Sequence, residues 1–129
     1  MSYTYDDGGR SLAGYKGITG DCAARAMVIA LDIDYRAAYK EIALANKAMG
    51  FSKSARNGVH KNIFQNILKK HGWSWHSAPK FTGRKAYHYD MPPGKVIARM
   101  ARHYCTVINK EIHDSWDSSD KMIYGYWAK

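Results

Sequence analysis

The chain has 129 residues, of which 46% are hydrophobic, and 20 Lys and Arg against 11 Asp and Glu give it a formal charge of +9. That length and apolar content suit one domain over residues 1–129 with a real core, and the lack of an apolar run of about 18 residues excludes a helical membrane span. The polar opening MSYTYDDGGR does not read as a signal peptide, and two cysteines, Cys22 and Cys105, without an export signal point to a reducing cytoplasm.

Residues 1–20 hold five glycines and no sustained period, so an extended or looped lead-in is expected there. A helical stripe then begins at Cys22 and runs through Ala23, Ala26, Met27, Ala30 and Leu31. Asp21 or Thr19 can cap its start by accepting from the free N–H groups of the first turn. A second stripe, Tyr35, Ala38, Tyr39, Ile42 and Ala45, has Asp34 as its cap and Gly50 as its stop. A third, Val59, Ile63, Ile67 and Leu68, ends at Gly72. These make a helical half, 21–72.

From Trp73 to residue 129 the character changes, with aromatic and β-branched residues punctuated by Pro79 and Pro92-Pro93-Gly94. KVIARM, HYCTVIN, EIHDSW and KMIYGYW each predict a short strand. Helices first and strands afterwards predict an α+β fold, with the helices on one face of a C-terminal antiparallel sheet.

One hairpin selects candidate site residues. Asn109-Lys110 can form a two-residue turn, since Asn tolerates positive φ, although Lys in second place is less favourable than Gly. That turn sets Ile108 opposite Glu111, Val107 opposite Ile112, Thr106 opposite His113, Cys105 opposite Asp114, Tyr104 opposite Ser115 and His103 opposite Trp116. Alternation then puts His103, Cys105 and Val107 on one face with Ile112, Asp114 and Trp116. His103 and Asp114 become diagonal neighbours, while His113 and Asp117 point away. A thiol at a helix start, an imidazole and a carboxylate are the parts of a nucleophilic site. The helix end and the imidazolium stabilise a thiolate, and the carboxylate orients the ring. Taken singly, each has a plainer reading: Cys22 as a buried core residue, His103 as an ordinary strand residue, Asp114 as a turn cap. Cys105 reads as a small core residue beside the site.

The order Cys at a helix start, His on a strand and Asp on the next strand resembles papain-like cysteine peptidases. The closer likeness is to small peptidase domains that process bacteriocin leader peptides, and to uncharacterised phage and bacterial papain-like proteins. It is carried by TGDCAARAMVIALDIDYRAAYKEI, SARNGVHKNIFQNILKKHGW, MPPGKVIARMARHYCTVINKEIHDSWD and YGYW, with DDGGRSLAGYKG shared by the phage and bacterial group. The resemblance implies a papain-like fold, a peptide or protein substrate, and Cys22 as nucleophile, His103 as base and Asp114 as orienter. It also implies a phage-encoded protein acting in a host cytoplasm. The family's oxyanion glutamine is missing: residues 14–19 read GYKGIT, which leaves Lys16 and the Cys22 backbone N–H to meet a developing negative charge.

The stretch Lys47–Lys85 holds nine basic residues and no acidic one. It reads either as a solvated basic face or as a surface for nucleic acid or an acidic protein, with Lys69, Lys70, Arg84 and Lys85 as candidate contacts. Trp73-Ser74-Trp75 and Tyr87-His88-Tyr89 could stack bases beside Lys80, Arg84 and Lys85, or form the buried face of a strand. His60, His71, His76 and His88 lack metal spacing with the cysteines, so neither a zinc site nor a cofactor is expected. An inactive papain-like scaffold that binds through its basic surface is the alternative function.

Overall fold

The computed structural model describes residues 3–9, 21–50 and 59–129. Among them are β1 (Tyr3–Tyr5), α1 (Cys22–Leu31), α2 (Tyr35–Ala48), α3 (Lys61–Lys70), β2 (Ser74–Ser77), β3 (Lys95–Met100), β4 (His103–Ile108), β5 (Glu111–Asp114) and β6 (Gly125–Ala128). All six strands join one sheet in the order β1-β5-β4-β3-β6-β2. The architecture is α+β. None of these helices is long and apolar enough to cross a membrane.

The helices follow the apolar stripes. Asp34 caps α2 as expected, its side chain accepting from Ala37 N–H at 3.2 Å. After α2 and α3 the chain turns at Gly50 and Gly72, both at φ +84°, a conformation that costs glycine little. Asp21 stands at the N-cap position of α1 but makes no capping hydrogen bond. Its carboxylate is turned to other partners, described below.

The central strands β3 and β4 are buried on both faces, which explains why KVIARM and HYCTVI read as nearly continuous apolar runs. Ile97, Tyr104 and Trp127 face α1, α2 and α3, together with Met27, Ile42 and Phe64. Their strand neighbours Val96, Ala98, Cys105 and Val107 face a second cluster with Met91, Met100, Ile112 and Ile123. Thr106 donates its hydroxyl to the Ala26 carbonyl at 2.8 Å, which fastens α1 to β4.

The β4–β5 hairpin has the register expected from its turn: Ile108 pairs with Glu111, Val107 with Ile112 and Thr106 with His113. Asn109 and Lys110 take φ +49° and +70°, the signature of a two-residue turn that matches strand twist. Lysine is held in that conformation by its neighbours. Its Nζ donates to the Met91 carbonyl at 2.6 Å, and His88 Nδ1 donates to the Lys110 carbonyl at 2.6 Å. The ladder stops at the Thr106–His113 pair, so Cys105, Tyr104 and His103 do not pair with Asp114, Ser115 and Trp116.

The wholly antiparallel sheet expected from the sequence needs a correction. β1 lies at one edge and runs parallel to β5, with Tyr3 beside Ile112, Thr4 beside His113 and Tyr5 beside Asp114. A three-residue strand is too short for alternation to register, and its partner lies at the other end of the chain.

Gly125 in β6 sits under the Trp75 ring. A Cβ there would lie 2.3 Å from two ring atoms and 2.8 Å from the His76 carbonyl oxygen. Gly125→Ala is therefore expected to destabilise the fold by about 1–3 kcal/mol or more through overpacking. Urea unfolding of the variant should show this; an unchanged midpoint would mean that Trp75 moves aside freely.

Candidate active site

Cys22 is the first residue of α1, where backbone N–H groups have no partners within the helix. His103 opens β4, and Asp114 closes β5 just where that strand leaves the ladder. All three are buried. His103 Nε2 donates to Asp114 Oδ2 at 2.5 Å. The Cys22 thiol contributes to the electrostatics of the His103 ring, and Nδ1 is the ring nitrogen not given to the carboxylate. The diagonal meeting of His103 and Asp114 expected from strand alternation thus occurs, with Cys22 acting on the same ring.

Burial works against a charged imidazole at this position. The hydrogen bond that the ring donates to Asp114, the charge of that carboxylate and a contribution from the Cys22 thiol outweigh it and push His103 up to about 9. The ring is therefore an imidazolium at neutral pH. Trp116 packs on it with ring centroids 4.7 Å apart and remains 43% exposed, so it forms one wall of the approach to the imidazole.

Asp114 is secured from several sides. Its backbone carbonyl accepts from Asp6 N–H at 2.7 Å and from the Tyr3 hydroxyl at 3.2 Å, so β1 and the residue after it fix the end of β5. Its Oδ1 accepts from Ser115 N–H at 2.7 Å and lies 3.5 Å from Arg25 Nη2. Arg25 Nη1 pairs with Asp21 Oδ1, and Tyr35 donates its hydroxyl to Asp21 Oδ2. The sequence analysis read Asp21 only as a helix cap and Tyr35 only as part of a helical stripe, and it missed Arg25 and the short β1. A visible signal existed for Arg25: it is the one charged residue in the run CAARAM.

Cys105 is a different kind of thiol. It is buried among Met91, Val96 and Ile112, and burial pushes its ionisation upward and keeps it neutral. His103, Cys105 and Asp114 place their ligand atoms within 4.8 Å of one another, the spacing of a metal set. Their chemistry fits a hydrogen-bonded pair better than a cation. The histidine and carboxylate are already joined, Arg25 adds positive charge beside Asp114, and the thiol resists the ionisation that a metal ligand needs.

Lys16, expected to help at an oxyanion, lies outside the described residues. Lys69, Lys70 and Lys85 are exposed. Arg84 is exposed but engaged: it forms two hydrogen bonds with Asp90, at 2.8 and 2.9 Å, and lies over the Phe81 ring. Trp73 is buried in the helix-facing core, and Trp75 lies in β2 against Trp127 with Lys61 above it. Both therefore serve packing. Tyr87 and Tyr89 flank the buried His88 in a short 3-10 turn, not in a strand.

No family model matches this chain, and neither a curated protein nor a solved structure resembles it significantly.

Proposed function

We propose that this chain is a cysteine-nucleophile hydrolase of papain-like type, acting on a peptide or another amide. One observation carries the reading: the buried His103 is hydrogen-bonded to the Asp114 carboxylate, and the thiol of Cys22, at the start of α1, acts on the same ring. Cys22 Sγ attacks the carbonyl carbon of the substrate, and the carbon–sulfur bond forms as the carbonyl π electrons move onto oxygen. The Cys22 backbone N–H at the helix start supports that oxyanion. His103 gives its proton to the departing nitrogen as the carbon–nitrogen bond breaks, leaving a thioester. Water then attacks the thioester carbon, His103 takes its proton, and the acid leaves as Cys22 is regenerated. Asp114 holds the ring so that Nδ1 meets the sulfur throughout.

The test needs no substrate. Iodoacetamide should alkylate Cys22 readily at pH 6, where an ordinary thiol is almost wholly protonated. His103→Ala should lower that pH 6 rate by about tenfold or more, read by mass spectrometry of the Cys22 peptide. Equal labelling of wild type and His103→Ala would overturn the mechanism.

A second reading, a papain-like scaffold that binds an acidic protein or nucleic acid, is favoured by the +9 charge and by the exposure of Lys69 and Lys70 beside the buried stripe of α3. If six phosphates are contacted, affinity should fall roughly a thousand-fold between 50 and 200 mM salt. Charge reversal at Lys69, Lys70 and Lys85 should flatten that slope and leave Cys22 labelling intact. Arg84 is a poor choice for reversal because its pairing with Asp90 would also be lost. No retention of single- or double-stranded nucleic acid on a filter at 50 mM salt would remove nucleic acid as the partner.

A further inference from the structure

Arg25 lies one helical turn beyond Cys22, and the chemistry proposed above does not use it. It is 7% exposed, and a guanidinium taken out of water among alanines must find compensation. Its two terminal nitrogens go to two different carboxylates. Nη1 meets Asp21, whose other oxygen accepts from Tyr35, and Nη2 lies 3.5 Å from Asp114 Oδ1. Oδ2 of Asp114 is the oxygen that takes the proton of His103 Nε2.

We propose that Arg25 is a positioning residue: its planar fork bridges Asp21 on the helix to Asp114 on the sheet, and so holds the Asp114 carboxylate in the plane that orients His103. Three features support this. A carboxylate at the end of a short strand can rotate about its own side-chain bonds. The Ser115 N–H restrains Oδ1 at one point, and the guanidinium supplies the second. Arg25 also offsets buried negative charge: it lies against both Asp21 and Asp114, and without it these two buried carboxylates would share no guanidinium. Finally, the chain packs tightly on the helix at this point. A Cβ on Gly8 would lie 3.2 Å from the Arg25 Cα and carbonyl oxygen, so the bridge is backed by backbone. For its catalytic consequence the inference rests on the hydrolase reading, whereas the bridge itself involves no thiol.

Proton NMR of the full chain provides the test. A histidine N–H held against a buried carboxylate exchanges slowly and resonates far downfield of the amides. Wild type should show this signal for His103, and Asp114→Asn should abolish it. Arg25→Lys keeps a positive charge next to Asp21 but has one nitrogen where the bridge needs two. It should lose the signal while circular dichroism reports a folded chain. If Arg25→Lys does not fold, the paired variant Asp21→Asn/Arg25→Gln removes one charge of each sign and carries the same expectation. A folded variant of either kind that keeps the wild-type signal and its pH range overturns the proposal, as does a wild type without it. Failure of the hydrolase reading looks different: Cys22 labelling ignores His103→Ala, yet the downfield signal and its loss in Arg25→Lys remain.

Discussion

Between pH 6 and pH 10 the chain is expected to lose stability through the proton that His103 holds against Asp114. Burial disfavours its charged form, but the hydrogen bond to Asp114, the charge of that carboxylate and a contribution from the Cys22 thiol more than compensate and hold it near 9, against 6.5 for a free imidazole. Below about 6.5 the ring carries its proton in both folded and unfolded chains, so the stabilisation is fully present. Between 6.5 and about 9 the folded chain keeps a proton that the unfolded chain has released, and stability falls as pH rises. Above about 9 neither holds it, and the contribution is gone. Tyr104 is pushed up to about 12 by burial, and it adds a separate loss that begins above pH 10. Urea unfolding at half-unit steps, with His103→Gln alongside, isolates the histidine. The wild-type curve should descend towards the variant's across this window; curves that stay parallel would refute the assigned role of the Asp114 and Cys22 contacts.

Trp127→Ala should cost about 3–5 kcal/mol, the largest single loss expected from the core. Trp127 is fully buried, with ring centroids 5.3 Å from Phe64, 4.8 Å from Trp75 and 5.8 Å from Tyr104. It joins the end of the sheet to α3, so its removal opens a cavity between elements that cannot easily collapse. Trp127→Phe should cost clearly less than the alanine change, because the indole N–H has no hydrogen-bond partner to lose and most of the ring contact survives. The midpoints and slopes of urea unfolding will rank the two. Equal losses would show that the volume of the ring is not what matters.

Much of the candidate site was legible because it depends on local rules. A helix stripe beginning at residue 22 places Cys22 on the first turn. The turn chemistry of Asn109-Lys110 sets a register, and the register chooses Asp114 over Asp117 and His103 over His113. These steps need only a period of about 3.6, a period of 2 and the φ preferences of two residues. The same rules overran at the edges. EIHDSW continues to alternate after Asp114, but the strand ends there, since pairing stops where Asp114 turns to His103 and Arg25.

What the sequence by itself determined, then, is the division into helices and strands, the alternation of β4 and β5, and the choice of one imidazole and one carboxylate that meet, with Cys22 placed at a helix start. Tertiary structure alone decided their support. Tyr3–Tyr5 becomes a strand only because β5 offers an open edge, and in doing so it fixes the backbone of Asp114. Asp21 looks like a helix cap, yet its carboxylate goes to Arg25 and Tyr35, because a buried guanidinium demands a counter-charge more strongly than a helix end demands a cap. Arg25 in turn reaches Asp114 across the gap between helix and sheet. The contacts to Asp114 join residues far apart in the chain, and their energies come from charges removed from water together, which no period or local propensity records.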